Sequence, residues 1–451
     1  MLSTELWTAT CRFLNKKDLA QLSCTSSKLL DAARPVLYRS VHLHTHEVVE
    51  IHFITEWQTE VETSSWLDLG ALSNLAHLRS MSMTASPFQT TEEQQSFLKI
   101  INRSCPLLKE FAYRQCRYAS PPFLPSPHPT SFPSDNFEIY GLEKLTWDDN
   151  ACFSAAQPQL RSLVNASLPT ISHMALPSPL DDFGVMEAIT FYQEFRLPCL
   201  KTFAIGDWVN FKGGAGPVAL VEFLIAHPTI QVLSLDWEDT SEYTPELSSS
   251  AVTWNMLPNL RNMHCHVFNI LVLLRGGVRA LANLTKLSVG HGLHPDAESQ
   301  MDEMFEELNS IGGLPYLKTL HFDPGESCCD PQKIHRWILQ WSKICPGLTK
   351  WSGTLPDMEL DELISDFIHF SGLTRVGLAY TAAPRGVDDI IKIATQLSSL
   401  NKITIQPSGK FNIRRITYHV QRNDHGTVSQ LIIRKYNLYN HQVTTIYHNL
   451  V

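Results

Sequence analysis

His42, His44 and His46 stand at alternate positions, so on a β-strand three imidazoles would share one side, where a divalent metal can be held. No nearby cysteine or acidic cluster completes a ligand set, and a polar strand face accounts for the spacing. His264 and His266 flank Cys265, which on a strand would point the thiol inward and away from both rings. The stretch Phe211-Lys212-Gly213-Gly214-Ala215-Gly216-Pro217 precedes a helical pattern, but a phosphate loop needs its lysine and hydroxyl residue after the glycines, so it reads as a turn. No Gly-x-Ser-x-Gly elbow occurs, and no Ser, His and Asp set can be assigned. The expectation is a non-enzymatic protein with no catalytic residue, metal or cofactor.

The elements around these residues are those of a long, repetitive chain. At 451 residues it exceeds the size at which one hydrophobic core stops growing, so it forms several domains or an elongated array. A hydrophobic content of 43% is enough to fold, and the formal charge of −9 comes without any long Lys/Arg block, which argues against nucleic acid as partner. No apolar run reaches the roughly 20 residues of a membrane span, and the first residues lack the pattern of a signal peptide. An intracellular protein is expected, in cytoplasm or nucleus, with no membrane partner. Ten cysteines without a CxxC pair, Cys328 and Cys329 included, read as buried thiols.

The pattern L-x-x-L-x-L, with apolar substitutes, starts at Leu78, Leu108, Leu142, Leu160, Leu200, Ile230, Leu260, Leu284, Leu317, Leu348, Leu373 and Leu400. These twelve starts lie 18 to 40 residues apart with a mean near 29, the upper end of the leucine-rich repeat range. The last two apolar places alternate, as in Leu320 and Phe322, and so face inward from a short strand. Helical spacing follows, most clearly in Ile334, Trp337, Ile338, Trp341 and Ile344 after Asp330 as N-cap and Pro331 at the first helical position. Further helices are expected at 218–227 and 360–370. Prolines at Cys105-Pro106, His227-Pro228 and Cys345-Pro346 stop helices just before the next start. Only Cys116 and Asn150 supply the Asn or Cys expected eight places after a start, so the array is a degenerate one.

Residues 119–135 hold six prolines and read as an exposed loop, and residues 166–196 form a second expansion with a helix at 182–195. From Ile413 the strand-like stretches 416–420, 428–433 and 443–447, with Asn423-Asp424-His425-Gly426 between the first two, predict a hairpin and a β cap.

The first forty residues predict three short helices: one carrying Leu2, Leu6 and Leu14, a brief one carrying Leu19 and Leu22, and one carrying Leu29 and Leu30 that Pro35 stops. A module this small exposes apolar residues to a partner or to the next domain. Leu2, Glu5, Leu6, Leu14, Asp18, Leu19, Leu22, Lys28, Leu37 and Tyr38 occur in an order that resembles an F-box. Ser3 stands where that family usually has proline, and Thr10 where it has an aliphatic residue. The resemblance, together with the repeats, implies an F-box protein with leucine-rich repeats, the substrate receptor of a Skp–cullin–F-box (SCF) ubiquitin ligase. Its adaptor surface would use Leu2, Ser3, Leu6, Leu14, Leu19 and Leu22 to bind a Skp-type adaptor and, through it, cullin. An N-terminal helical cap that buries the same leucines is the alternative.

Register then predicts where a target protein binds. Two places after their starts stand Lys286, Lys350, Arg375 and Lys402, a basic stripe on the concave strands. Beyond the middle strands stand Asp148, Asp149, Asp207, Asp236, Glu238 and Asp239, with Trp208 and Trp237 interleaved as aromatic anchors. The expected architecture is α/β: a three-helix F-box-like module at 1–40, an irregular leucine-rich repeat horseshoe at 41–410, and a β-rich cap at 411–451.

Overall fold

The computed structural model describes residues 40–46, 48–53, 60–61, 78–84, 101–114, 139–148, 153–176, 189–205, 215–235, 247–290, 297–324, 330–354, 359–379, 386–406, 413–437 and 443–449. The chain divides into two compact units, Met1–Phe211 and Lys212–Val451. The F-box-like stretch with Leu2, Ser3, Leu6, Leu14, Leu19 and Leu22 lies outside the described residues, as do the proline-rich segment 119–135, Trp208, Asp236 and Trp237.

In the first unit, strand β1 (Ser40–His46) pairs antiparallel with β2 (Val48–Phe53), which pairs antiparallel with β3 (Glu60–Val61). On its other side β1 runs parallel to β4 (Ser80–Thr84), and β5 (Glu110–Arg114), β6 (Lys144–Asp148), β7 (His173–Leu176) and β8 (Thr202–Ile205) follow in parallel order. Helix α1 (Phe153–Ser167) lies between β6 and β7 in the chain.

The second unit continues the same alternation. Its parallel strands are β9 (Val232–Ser234), β10 (Asn262–His266), β11 (Lys286–Gly290), β12 (Thr319–Asp323), β13 (Lys350–Thr354), β14 (Arg375–Ala379) and β15 (Lys402–Gln406). Helix α2 (Ala215–Ala226) precedes β9, and helices α3 (Val267–Arg275), α4 (Ala297–Ser310), α5 (Pro331–Ile344), α6 (Leu360–Phe367) and α7 (Val387–Gln396) occur between the strands. The predicted start of α5 agrees: the Asp330 side chain accepts from Gln332 N at 3.0 Å, with Pro331 beginning the helix.

One repeat shows why the motif folds this way. Leu317, Leu320 and Phe322 are all fully buried, and Phe322 meets Trp337 and Trp341 of α5 edge to face at 6.2 Å. Strand residues therefore alternate between a face packed on helices and a face turned away from them. Most start residues donate their N–H to the carbonyl three places earlier, as Leu348 does to Cys345 and Leu373 to Phe370, closing the turn after the helix; Leu142 N donates instead to Ser167 Oγ. The carbonyl just before each strand then accepts two N–H groups from the next repeat: Lys318 O takes Thr349 and Lys350, and Thr349 O takes Thr374 and Arg375. Thr349, Thr374 and Thr285 add their own hydroxyls to these junctions at 3.0, 3.0 and 3.2 Å. At β13 the backbone approaches so closely that a Cβ on Gly353 would stand 1.7 Å from Phe322 O.

Leu160 is not a repeat start. It lies within α1, where Leu160, Leu163 and Val164 are buried at the i, i+3, i+4 spacing of a helix face. The strand register instead begins at Ile171, followed by buried Met174 and Leu176. Ile171 lies 29 residues after Leu142 and 29 before Leu200, so the 18- and 40-residue intervals around Leu160 disappear. Of the helix expected at 182–195, residues 189–194 are helical among those described.

At the far side of β15 the pairing turns antiparallel, through β16 (Ile413–Arg422), β17 (Val428–Asn437) and β18 (Val443–Asn449). Asn423 Oδ1 accepts from His425 N and Thr427 N, and Gly426 takes φ +78°, which forms the turn between β16 and β17. Arg422 Nη2 donates to the carbonyls of Ala394, Leu397 and Leu400 at 2.6, 3.2 and 3.2 Å. Val420 N donates to Asn401 O, the acceptor that a following parallel strand would otherwise use.

Candidate protein-interaction surface

The parallel register fixes one row across the second unit: Lys286, Thr319, Lys350, Arg375 and Lys402 are successive partners, and Lys402 pairs with His419 of β16. The sequence-expected stripe Lys350, Arg375 and Lys402 is thus brought onto three adjacent strands. Neighbouring strands lie about 4.8 Å apart, so these are cations side by side. Their neighbours Trp351, Val376 and Ile403 are buried, and Trp351 packs on Phe367 of α6, which turns the cations to the face away from the helices.

Two more cations join from the antiparallel strands. Thr417 pairs with Thr404 on one side and Arg434 on the other, and Arg415 lies two places before Thr417 on the same side of β16. None of Lys350, Arg375, Lys402, Arg415 and Arg434 makes an ion pair among the described residues. Burial first, then the charges of Arg375, Arg415, Lys350 and Arg434, hold the Lys402 ammonium below its ordinary pKa. Burial and then Arg434, Lys402 and Arg375 do the same to His419. Asp323, a carboxylate on this side of the sheet, stands at the last position of β12, one strand outside these five.

Between the cations runs a row of short side chains. Ser352, Gly377, Thr404 and Thr417 are successive partners that end at Arg434. The result is a shallow trough with small polar residues as floor, Lys350, Arg375, Lys402 and His419 along one side, and Arg415 and Arg434 at its end.

The corresponding row of the first unit reads Ser80, Glu110, Lys144, His173 and Thr202. There Lys144 and Glu110 pair at 2.7 Å, so the charge is compensated within the row. Burial, then Lys144, lowers the His173 pKa, with Glu110 opposing. Asp148 ends β6 opposite Arg114 in register; of the acidic and aromatic group expected around it, Trp208, Asp236 and Trp237 lie outside the described residues.

His264 and Cys265 lie on β10, with Cys265 fully buried among the apolar side chains. Among the described residues, no group of three His, Cys, Asp or Glu side chains is placed to hold a metal ion, and no helix is long and apolar enough to cross a membrane.

The helix-and-parallel-strand units, with the L-x-x-L-x-L positions buried, have the arrangement of leucine-rich repeats. No protein-family model matches the chain, and no curated protein matches it. Among solved structures it is similar to the leucine-rich repeat-containing protein LegL7 from Legionella pneumophila, at 18% identity and a TM-score of 0.38 over 62% of this chain and 89% of that one.

Proposed function

We propose that the chain is the substrate-recognition subunit of an SCF-type ubiquitin ligase. Residues 1–40 dock a Skp-type adaptor and, through it, cullin, while the repeats hold a target protein. The observation that carries the ligase half is the ordered F-box-like series from Leu2 to Tyr38 directly ahead of a repeat array. The binding half is supported by the open polar face of the second unit, whose cations lack partners among the described residues. Such a receptor needs no nucleophile, because holding an acceptor lysine near an activated donor raises its effective concentration.

Ser3 and Thr10, which depart from the F-box pattern, favour a second reading: a repeat scaffold outside any ligase, with the N-terminal helices as a cap. Calorimetric titration of the full chain with a purified Skp-type adaptor separates the two. Binding that is lost in a folded Leu6→Asp, Leu19→Asp variant supports the receptor; absence of binding by the wild type leaves the scaffold.

A further inference from the structure

We infer that the trough on β13 to β17 binds a short, extended, carboxylate-rich peptide segment of the protein the repeats hold. The inference rests on the protein-binding half of the proposed function and specifies its partner's chemistry.

Three features of the face converge on that ligand. The first is charge: Lys350, Arg375, Lys402, Arg415 and Arg434 stand on five consecutive strands, and no described carboxylate pairs with them. Like charges directly opposite one another across strands repel, so an incoming anion gains from contact with each and also relieves the repulsion among them. Burial first, and then that same crowding, lowers the pKa values of Lys402 and His419.

The second feature is relief. Ser352, Gly377 and Thr404 have side chains too short to stand above the sheet, and Gly377 lies so close to its neighbour that an added Cβ would meet Ser352 Cβ at 3.0 Å. A peptide backbone can therefore approach the floor while its own side chains reach the flanking cations. The third is length. Four strands at about 4.8 Å spacing give a floor of about 14 Å, which spans four to five extended residues. A long polyanion would extend past the trough over a chain whose net charge is −9, so a short anionic segment fits better than nucleic acid.

The test is fluorescence anisotropy on the full chain with three probes of equal length: a labelled peptide of alternating Glu and Ser, its Gln and Ser counterpart, and an oligothymidylate. The expected result is saturable binding of the Glu peptide at least ten times tighter than of the Gln peptide, weakening as salt rises. A Lys350→Ser, Arg375→Ser, Lys402→Ser variant with an unchanged melting profile loses at least ten-fold, while Glu298→Gln on the helix side leaves binding unaltered. Equal affinity for the Gln peptide, tighter binding of the oligothymidylate, or full binding by the triple variant overturns the inference. Adaptor binding without Glu-peptide binding removes this inference and leaves the ligase reading standing; Glu-peptide binding without adaptor binding supports it and removes the ligase.

Discussion

On the helix side of the second unit, acidic and basic side chains join each helix from α3 to α7 to the next. Arg275 pairs with Glu303, Lys333 with Glu298, Arg336 with Asp302 at 2.7 and 2.9 Å, His335 with Asp366, and Lys392 with Asp361 at 2.5 Å. On the opposite face of the same repeats, Lys350, Arg375 and Lys402 are arrayed just as regularly and have no such partners among the described residues. Both surfaces carry charge, yet on one it is compensated in pairs between neighbouring repeats and on the other it has no such partners among the described residues. The first unit, with Glu110 against Lys144, shows that a strand row of this fold can be neutralised internally.

The contrast breaks most severely at Trp337. It is fully buried, its Nε1 donates to Asp302 at 2.9 Å, and its ring packs on Phe322, so Trp337→Ala removes packing and a link between helices together. A loss of about 3–5 kcal/mol in stability is expected from denaturant unfolding. A smaller loss would mean that the helix side contributes less to holding the repeats than its contacts imply.

A middle-sized effect is expected at Asp366. Its carboxylate is fully enclosed and faces His335, and neither oxygen accepts a well-directed hydrogen bond. Burial pushes its pKa up to about 6, against the pull of His335 and His369. The folded state then holds this proton more tightly than the unfolded chain, so the stability it contributes is present below pH 3.8 and lost as pH rises through about 6. Asp366→Asn should abolish that decline, on the order of 1 to 2 kcal/mol after allowance for screening at the half-exposed His335. Parallel pH profiles for wild type and variant would count against the enclosed carboxylate as its source.

The smallest effects differ in sign. Neutralising a strand cation, Arg375→Gln or Lys402→Gln, should raise stability by a few tenths of a kcal/mol by relieving repulsion. Arg336→Gln on the helix side should lower it by a similar amount, because an exposed ion pair is lost. Thermal melts at low and high salt check both, and a shift of the same sign at the two faces would erase the distinction.

Much of this was readable from the sequence. Lys350, Arg375 and Lys402 follow their start leucines at a fixed offset, and parallel pairing turns a fixed offset into a row. Arg415, His419 and Arg434 were not found, because they arrive through antiparallel strands whose register depends on the turn at 423–427 and on irregularities at Ile413/Arg415 and Gln421/Arg422. Leu160 misled because its spacing to Leu163 and Val164 suits a helix face while also imitating the opening of the repeat motif. The regular motif expects an Asn or Cys eight places after each start, whereas Thr285, Thr349 and Thr374 bond the preceding repeat from the residue directly after theirs. A hydroxyl directly after the start leucine was the overlooked sign.

Arg422 has a meaning beyond stability. Ser399 donates its hydroxyl to Leu373 O across one repeat junction, and at the next junction Arg422 takes the equivalent Leu400 O while Val420 occupies Asn401 O. A further repeat stacked on β15 would find its docking acceptors already taken. The guanidinium and β16 therefore act as a terminator of growth, defining where the count of repeats stops and preventing the array from continuing head to tail into another molecule through that strand.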